Sequence, residues 1–174
     1  MSITNRQKLL ATVLALITNA TFAEERQIYA ETSFAQLKYQ ETGYSATPSA
    51  ARLIIGTKIH KKWGLEAMGA IGVADGTTSG VALSLDNGYG VYLKGAETLG
   101  EKFEIFGRFG SFRGNLTATG PAASISISGS DFSYGGGIGY SISDNVSLIA
   151  DYMSYYSKGS IKISGWSLGA RFGF

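Results

Sequence analysis

Apolar residues recur at every second position along most of this chain. The closing stretch Trp166-Ser-Leu-Gly-Ala-Arg-Phe-Gly-Phe174 puts Trp166, Leu168, Ala170, Phe172 and Phe174 on one side. Gly, Ser and Arg171 fall on the other. In the Gly-rich run from Phe132 to Ile142, Phe132, Tyr134, Ile138, Tyr140 and Ile142 lie opposite Ser133, Gly135, Gly137, Gly139 and Ser141. Trp63, Leu65, Ala67, Ile71 and Val73 lie opposite Glu66, Met68, Ala70 and Gly72, and Val146, Leu148, Ala150 and Tyr152 face away from Ser147, Asp151 and Tyr155. A period of two is the signature of a β-strand with unlike faces. The pattern predicts eight strands, roughly 27–39, 50–60, 63–74, 82–95, 102–114, 131–142, 145–156 and 163–174. At about 10 residues or more they exceed the roughly 5–6 usual in water-soluble sheets.

The connections alternate in length. His60-Lys-Lys62, Leu99-Gly-Glu-Lys102 and Ser143-Asp-Asn145 read as tight polar turns. Gln40–Ser49, Asp75–Val81, Asn115–Ser130 and Ser157–Lys162 read as longer segments, the Ser/Thr/Gly-rich 115–130 stretch being a long loop without formal charge. Long and short in alternation is the expectation for an antiparallel meander with one trimmed and one elaborated end.

Charge placement chooses between architectures. The polar face collects Arg52, Lys58, Glu66, Asp86, Lys94, Glu104, Arg108, Asp151 and Arg171, with Glu31 on a less regular first strand. A secreted lipocalin-like barrel would bury the apolar face and wet the charged one. A membrane barrel reverses the two faces. In hydrocarbon no water satisfies backbone N–H and C=O groups, so a sheet crosses only when closed without an edge. A tilted spanning strand needs ~9–11 residues. An even strand number, short turns at one end and aromatic rings toward strand ends fit such a barrel. Eight strands leave an interior that side chains fill, so the charged set is expected to form a paired lumenal network, with Arg171 meeting Asp151 on the preceding strand. The fold expected is therefore all-β, an eight-stranded antiparallel up-and-down transmembrane β-barrel.

Composition supports this reading. Charged residues make up 16% of the 174-residue chain, against about 25% in a typical soluble domain, and Gly (24), Tyr (10) and Phe (9) are abundant. Cysteine is absent, which removes disulfides, thiolate metal sites and Cys nucleophiles. At the N-terminus Arg6 and Lys8 precede the short apolar run Leu9–Ile17, and Thr21-Phe-Ala23 approximates a small-x-small cleavage site. Residues 1–23 are thus expected to be a secretory signal peptide, with residues 24–174 the barrel domain. Its removal takes away two of the 15 basic residues and none of the 13 acidic ones, so the two signs balance. No basic surface for nucleic acid remains.

Tyr140-Ser-Ile-Ser-Asp-Asn-Val-Ser-Leu-Ile-Ala-Asp-Tyr152, the Gly-rich Phe132–Tyr140 strand and the terminal Leu168-Gly-Ala-Arg-Phe-Gly-Phe174 resemble small bacterial outer-membrane β-barrel proteins. The resemblance is to the superfamily of the OmpA-like transmembrane domain and of opacity and Ail/OmpX-like surface proteins. It implies a monomer in a Gram-negative outer membrane, among outer-membrane lipid and lipopolysaccharide, with both termini in the periplasm. It also implies that Leu168, Phe172 and Phe174 form the signal read by the outer-membrane insertion machinery.

Three functions follow as alternatives. The first is a non-enzymatic structural or surface-interaction role, with a host or matrix ligand met by the loops around Tyr44, 115–130, Lys158 and Lys162. The second is a small passive pore, gated through Arg108, Glu104 and Arg171. The third, by resemblance, is a lipid A-modifying enzyme with a catalytic His. The chain has one His, His60, in a Lys-rich turn where no Ser–His–acid set is available. No catalytic residue, cofactor or metal site is therefore assigned. Tyr134-Gly-Gly-Gly-Ile-Gly139 lies inside a strand with no helix after it, so it is no dinucleotide loop.

Overall fold

The computed structural model describes residues 28–174; the expected signal peptide at 1–23 lies outside the described residues. Ten strands follow in chain order: β1 (Ile28–Glu41), β2 (Tyr44–Ala46), β3 (Ser49–His60), β4 (Trp63–Ala74), β5 (Gly76–Thr78), β6 (Val81–Leu99), β7 (Phe103–Thr119), β8 (Ser124–Ser143), β9 (Val146–Lys158) and β10 (Ile161–Gly173). Eight of them form the wall in sequence order, all antiparallel. The three-residue β2 and β5 pair only at the rim, with β1 and β6. The sheet closes on itself: β10 pairs with β1 from Tyr29↔Gly173 to Gln40↔Lys162. Closure leaves the wall without an edge.

The turns at one end are short because polar residues with the needed backbone freedom sit there. Gly100, between β6 and β7, holds a φ of +69°, a left-handed conformation that glycine adopts without steric cost. At the other end the strands run on beyond the wall. The stretch 115–130, expected as a loop, is instead the top of a β7–β8 hairpin. Leu116 pairs with Ile127 and Ala118 with Ile125, and only residues 120–123 turn. The alternation that marks a strand is present there, carried by Leu116, Ala118, Ile125 and Ile127 among Ser and Thr. Hydroxyl contacts across the hairpin (Ser124 Oγ donating to Thr119 Oγ1 at 3.2 Å, and Thr117 and Ser126 at 3.1 Å) replace apolar packing.

Outward positions carry the large apolar side chains expected of a lipid-facing surface, among them Leu65, Ile71, Val91, Ile105, Ile138, Leu148, Leu168 and Phe172. No helix among the described residues is long and apolar enough to cross a membrane; the strands supply the spans. The interior is layered. Toward the hairpin end an apolar cluster fills the lumen, including Leu37, Tyr39, Leu83, Leu85, Phe112, Leu116, Met153, Tyr155 and Ile163. The charged side chains lie below it, toward the end that carries Ile28 and Phe174.

Candidate functional site: a charged lumen beneath an apolar plug

The inward parity of seven strands brings eight charged residues together. Arg108 on β7 is their centre, its side chain 1% exposed. Its Nε donates to Glu66 Oε2 (2.5 Å), Nη1 to Asp151 Oδ2 (2.7 Å) and Nη2 to Glu31 Oε2 (2.6 Å). The planar fork of a guanidinium can address three carboxylates at once, which a lysine ammonium cannot do with fixed direction. Phe106 packs against it, 4.4 Å from ring centroid to Cζ. Arg52 donates to both oxygens of Asp151 (3.1 and 2.5 Å), to Tyr155 Oη and to Ser167 Oγ. Tyr29 Oη donates to Glu66 Oε1 at 2.6 Å.

Nearer the short-turn end, Lys94 Nζ and Arg171 Nη1 both donate to Glu104 Oε1, at 2.9 and 2.7 Å. Arg171 Nε donates to Glu31 Oε1 at 2.7 Å, joining the two layers. Arg171 therefore meets Glu31 and Glu104, not Asp151. The seam explains the difference, because Arg171 stands directly opposite Glu31 across β10–β1. Asp151 stands opposite Ser167, four residues up the strand, or roughly 13 Å away at the rise of a β-strand.

Two expected members of the lumenal set lie elsewhere. Asp86 sits at a bulge between Leu85 and Asn87, where the β6–β7 register shifts. One extra residue reverses which side chains face inward. Leu83 and Leu85 therefore point into the lumen above the bulge and Lys94 below it, while Asp86 is exposed and accepts from Thr117 Oγ1 at 2.8 Å. Lys58 has the inward parity but lies at the barrel mouth, lining a cavity of about 300 Å³ at the short-turn end. Residues with no expected role also enter the lumen. The apolar plug is built from inward positions such as Leu37, Leu116, Met153 and Tyr155. Its signal in the sequence is the change of parity at Asp86-Asn87, after the inward pair Leu83 and Leu85.

The plug is dense. The void within it, lined by residues such as Leu37, Leu85, Leu116 and Tyr155, has a volume of about 20 Å³, on the scale of one water molecule. Above it the β7–β8 hairpin stands clear of its neighbour, since the β8–β9 ladder begins only at Tyr134↔Ser154. Residues 124–128 thus present an open edge, with Ile125 63% exposed. Asp131 ties the hairpin base to β9 by accepting from the backbone N–H of Ser157 at 2.8 Å, and Lys158 Nζ donates to the carbonyl of Ser130 at 2.8 Å. His60, expected in a turn, is the exposed last residue of β3 at the opposite end, paired with Trp63 across the β3–β4 turn. Among the described residues no cluster of three or more His, Asp or Glu side chains is arranged to hold a metal ion. The insertion-signal candidates Leu168, Phe172 and Phe174 are exposed side chains at the end of the chain.

A family model described as the outer membrane protein beta-barrel domain matches residues 9–174. No curated protein matches the chain. Among solved structures the fold is similar to that of Ail, the attachment invasion locus protein of Yersinia pestis, in complex with the heparin analogue sucrose octasulfate. The identity is 21% and the TM-score 0.66, over 87% of this chain and 100% of that one. It is also similar to Neisserial surface protein A, with 16% identity and a TM-score of 0.72 over 84% and 97% of the two chains. The N-terminal β-barrel domain of Pseudomonas aeruginosa OprF gives 12% identity and a TM-score of 0.58 over 86% and 100%.

Proposed function

Because the chain belongs to the outer membrane protein beta-barrel domain family, we propose that this integral outer-membrane protein is a plugged, non-enzymatic barrel that contacts partners outside the cell. In this reading both termini lie in the periplasm and the β7–β8 hairpin projects from the cell surface. Residues 1–23 serve as the cleaved signal, and Leu168, Phe172 and Phe174 as the insertion signal of a monomeric barrel.

One observation carries the reading: the hairpin rises beyond a sealed lumen and offers both an open strand edge at 124–128 and exposed Ile125 and Ile127. Exposed edges pair readily with an extended segment of another chain, the backbone giving affinity and alternate side chains specificity. The sealed lumen argues against the pore. The placement of His60, exposed at the end of β3 and followed by Lys61 and Lys62, argues against a lipid A-modifying enzyme.

The test is binding of the labelled protein, in lipid nanodiscs, to immobilised matrix proteins, serum proteins and heparin, a first glycan probe suggested by the heparin analogue bound to Ail. The full chain is expected to bind one of these, and a variant lacking residues 117–128 to bind it at least tenfold more weakly. Heat-modifiable gel mobility checks that the shortened barrel is folded. Equal binding by both, or binding by neither, contradicts the surface-interaction reading.

A further inference from the structure

The lumenal charges balance in number but not in position. The buried layer around Arg108 holds two cations, Arg52 and Arg108, against three carboxylates, Glu31, Glu66 and Asp151. The layer below it holds two cations, Lys94 and Arg171, against Glu104 alone. The network is therefore polarised along the barrel axis, with its positive surplus facing the short-turn end. None of the five residues of the upper layer lines the cavity of about 300 Å³ that opens there, whereas Lys94, Glu104 and Arg171 form its floor.

The rim of that cavity adds more of the same sign. Lys58, Lys61 and Lys62 come from β3 and the turn after it, and Lys102 from the β6–β7 turn. Asp144 is the one acidic residue that joins them in the lining, apart from Glu104. Lys62 also pairs with Glu97 at 2.6 Å. A concave site with low-dielectric walls concentrates the field of like charges at its mouth. The cavity wall is the sheet itself, and the cationic groups at its floor are held in place by ion pairs of Lys94 and Arg171 with Glu104.

We propose that this vestibule is a binding site for a phosphate-bearing anion. The required chemistry is several negative oxygens on one compact group. Such a group can sit over Lys94 and Arg171 while the rim lysines close around it. Two sources offer that chemistry, a soluble phosphate anion and the headgroup of a phospholipid lying against the rim. The site is at the barrel end opposite the hairpin, so its test is separable from that of the surface role.

The experiment uses the full barrel in two arms. In maltoside micelles, which carry no phosphate, binding of inorganic pyrophosphate is followed by phosphorus NMR and by titration calorimetry. In nanodiscs, retention of phosphatidylglycerol by the barrel is measured against phosphatidylcholine. The double variant Lys58→Gln/Lys102→Gln is expected to weaken the interaction tenfold or more in whichever arm shows it. The equally neutralised Lys38→Gln/Arg113→Gln, changed outside the vestibule, is expected to leave it unchanged, and both variants should keep their heat-modifiable mobility. Pyrophosphate binding identifies a soluble anion; phosphatidylglycerol retention without it identifies the headgroup. Absence of both, or equal weakening by the two double variants, overturns the proposal.

Discussion

Arg108 shows what a charged residue needs in order to sit inside this barrel. Its guanidinium is buried with three carboxylates in direct contact, and the cost of dehydrating each charge is offset only while the set stays complete. Arg108→Met retains much of the volume but leaves Glu31, Glu66 and Asp151 facing one another, with Arg52 and Arg171 as the remaining cations. Removing one partner of a buried pair typically costs ~3–5 kcal/mol. Arg108→Met is therefore expected to lower stability by about that amount, measured as a shift of the urea midpoint for unfolding from lipid vesicles. Arg108→Lys should restore only part of it, because an ammonium cannot reproduce the fork that holds Glu66 through two nitrogens. A midpoint unchanged in Arg108→Met would mean that the network does not stabilise the lumen.

At the scale of elements, the hairpin and its tether behave separately from the wall. The Asp131 carboxyl lies beyond the last β8–β9 ladder pair. It is held below its ordinary value of 3.8, chiefly by the N–H of Ser157 donating to it, then by Phe132 N–H and Lys158, against opposing desolvation. A carboxylate with a lowered pKa contributes stability that is fully present above the ordinary value and is lost as pH falls through the lowered one. The Ser157 amide is therefore expected to stay protected from hydrogen exchange at neutral pH and to lose protection in acid below 3.8, whereas wall amides such as Ile149 keep theirs. Asp131→Asn should reduce the Ser157 protection at neutral pH and remove the acid step. Elements also show what was legible in the sequence. The eight wall strands, their order and the tight turns could be read from period-two alternation, because one face meets lipid for its whole length. The top of the β7–β8 hairpin could not, since Ser and Thr there carry the weak apolar alternation of Leu116, Ala118, Ile125 and Ile127. The Asp86 bulge was equally hidden: a single inserted residue changes side-chain facing without changing composition.

At the scale of the whole molecule, the interior combines a polarised charge layer with an apolar plug, and the two have different consequences. Most of the charged layer was foreseeable from residue parity, though the pairing of Arg171 with Glu31 was not. It depends on closure of β10 against β1, a contact between the two ends of the sheet that local pattern cannot specify. The plug was not foreseeable because inward apolar residues such as Leu37, Met153 and Tyr155 look, one at a time, like ordinary interruptions of a polar face. With a void of about 20 Å³ inside it, the plug should block ions. The purified barrel in planar bilayers is expected to show no stable conductance steps, and neutralising Arg108 or Arg171 should not create them while Leu85, Leu116 and Tyr155 stay in place. Regular open steps in the unaltered protein would contradict the sealed lumen.

Everything above depends on this sheet being closed in lipid with its apolar parity outward and its charged parity inward. The absence of cysteine makes a direct measurement available: single cysteines placed in turn at positions 63–72 of β4, spin-labelled, with the barrel in a bilayer. Oxygen accessibility is expected to oscillate with period two, high at Leu65, Ala67, Gly69 and Ile71 and low at Glu66, Met68 and Ala70. A flat profile, or the opposite phase with Glu66 and Met68 facing lipid, would contradict it.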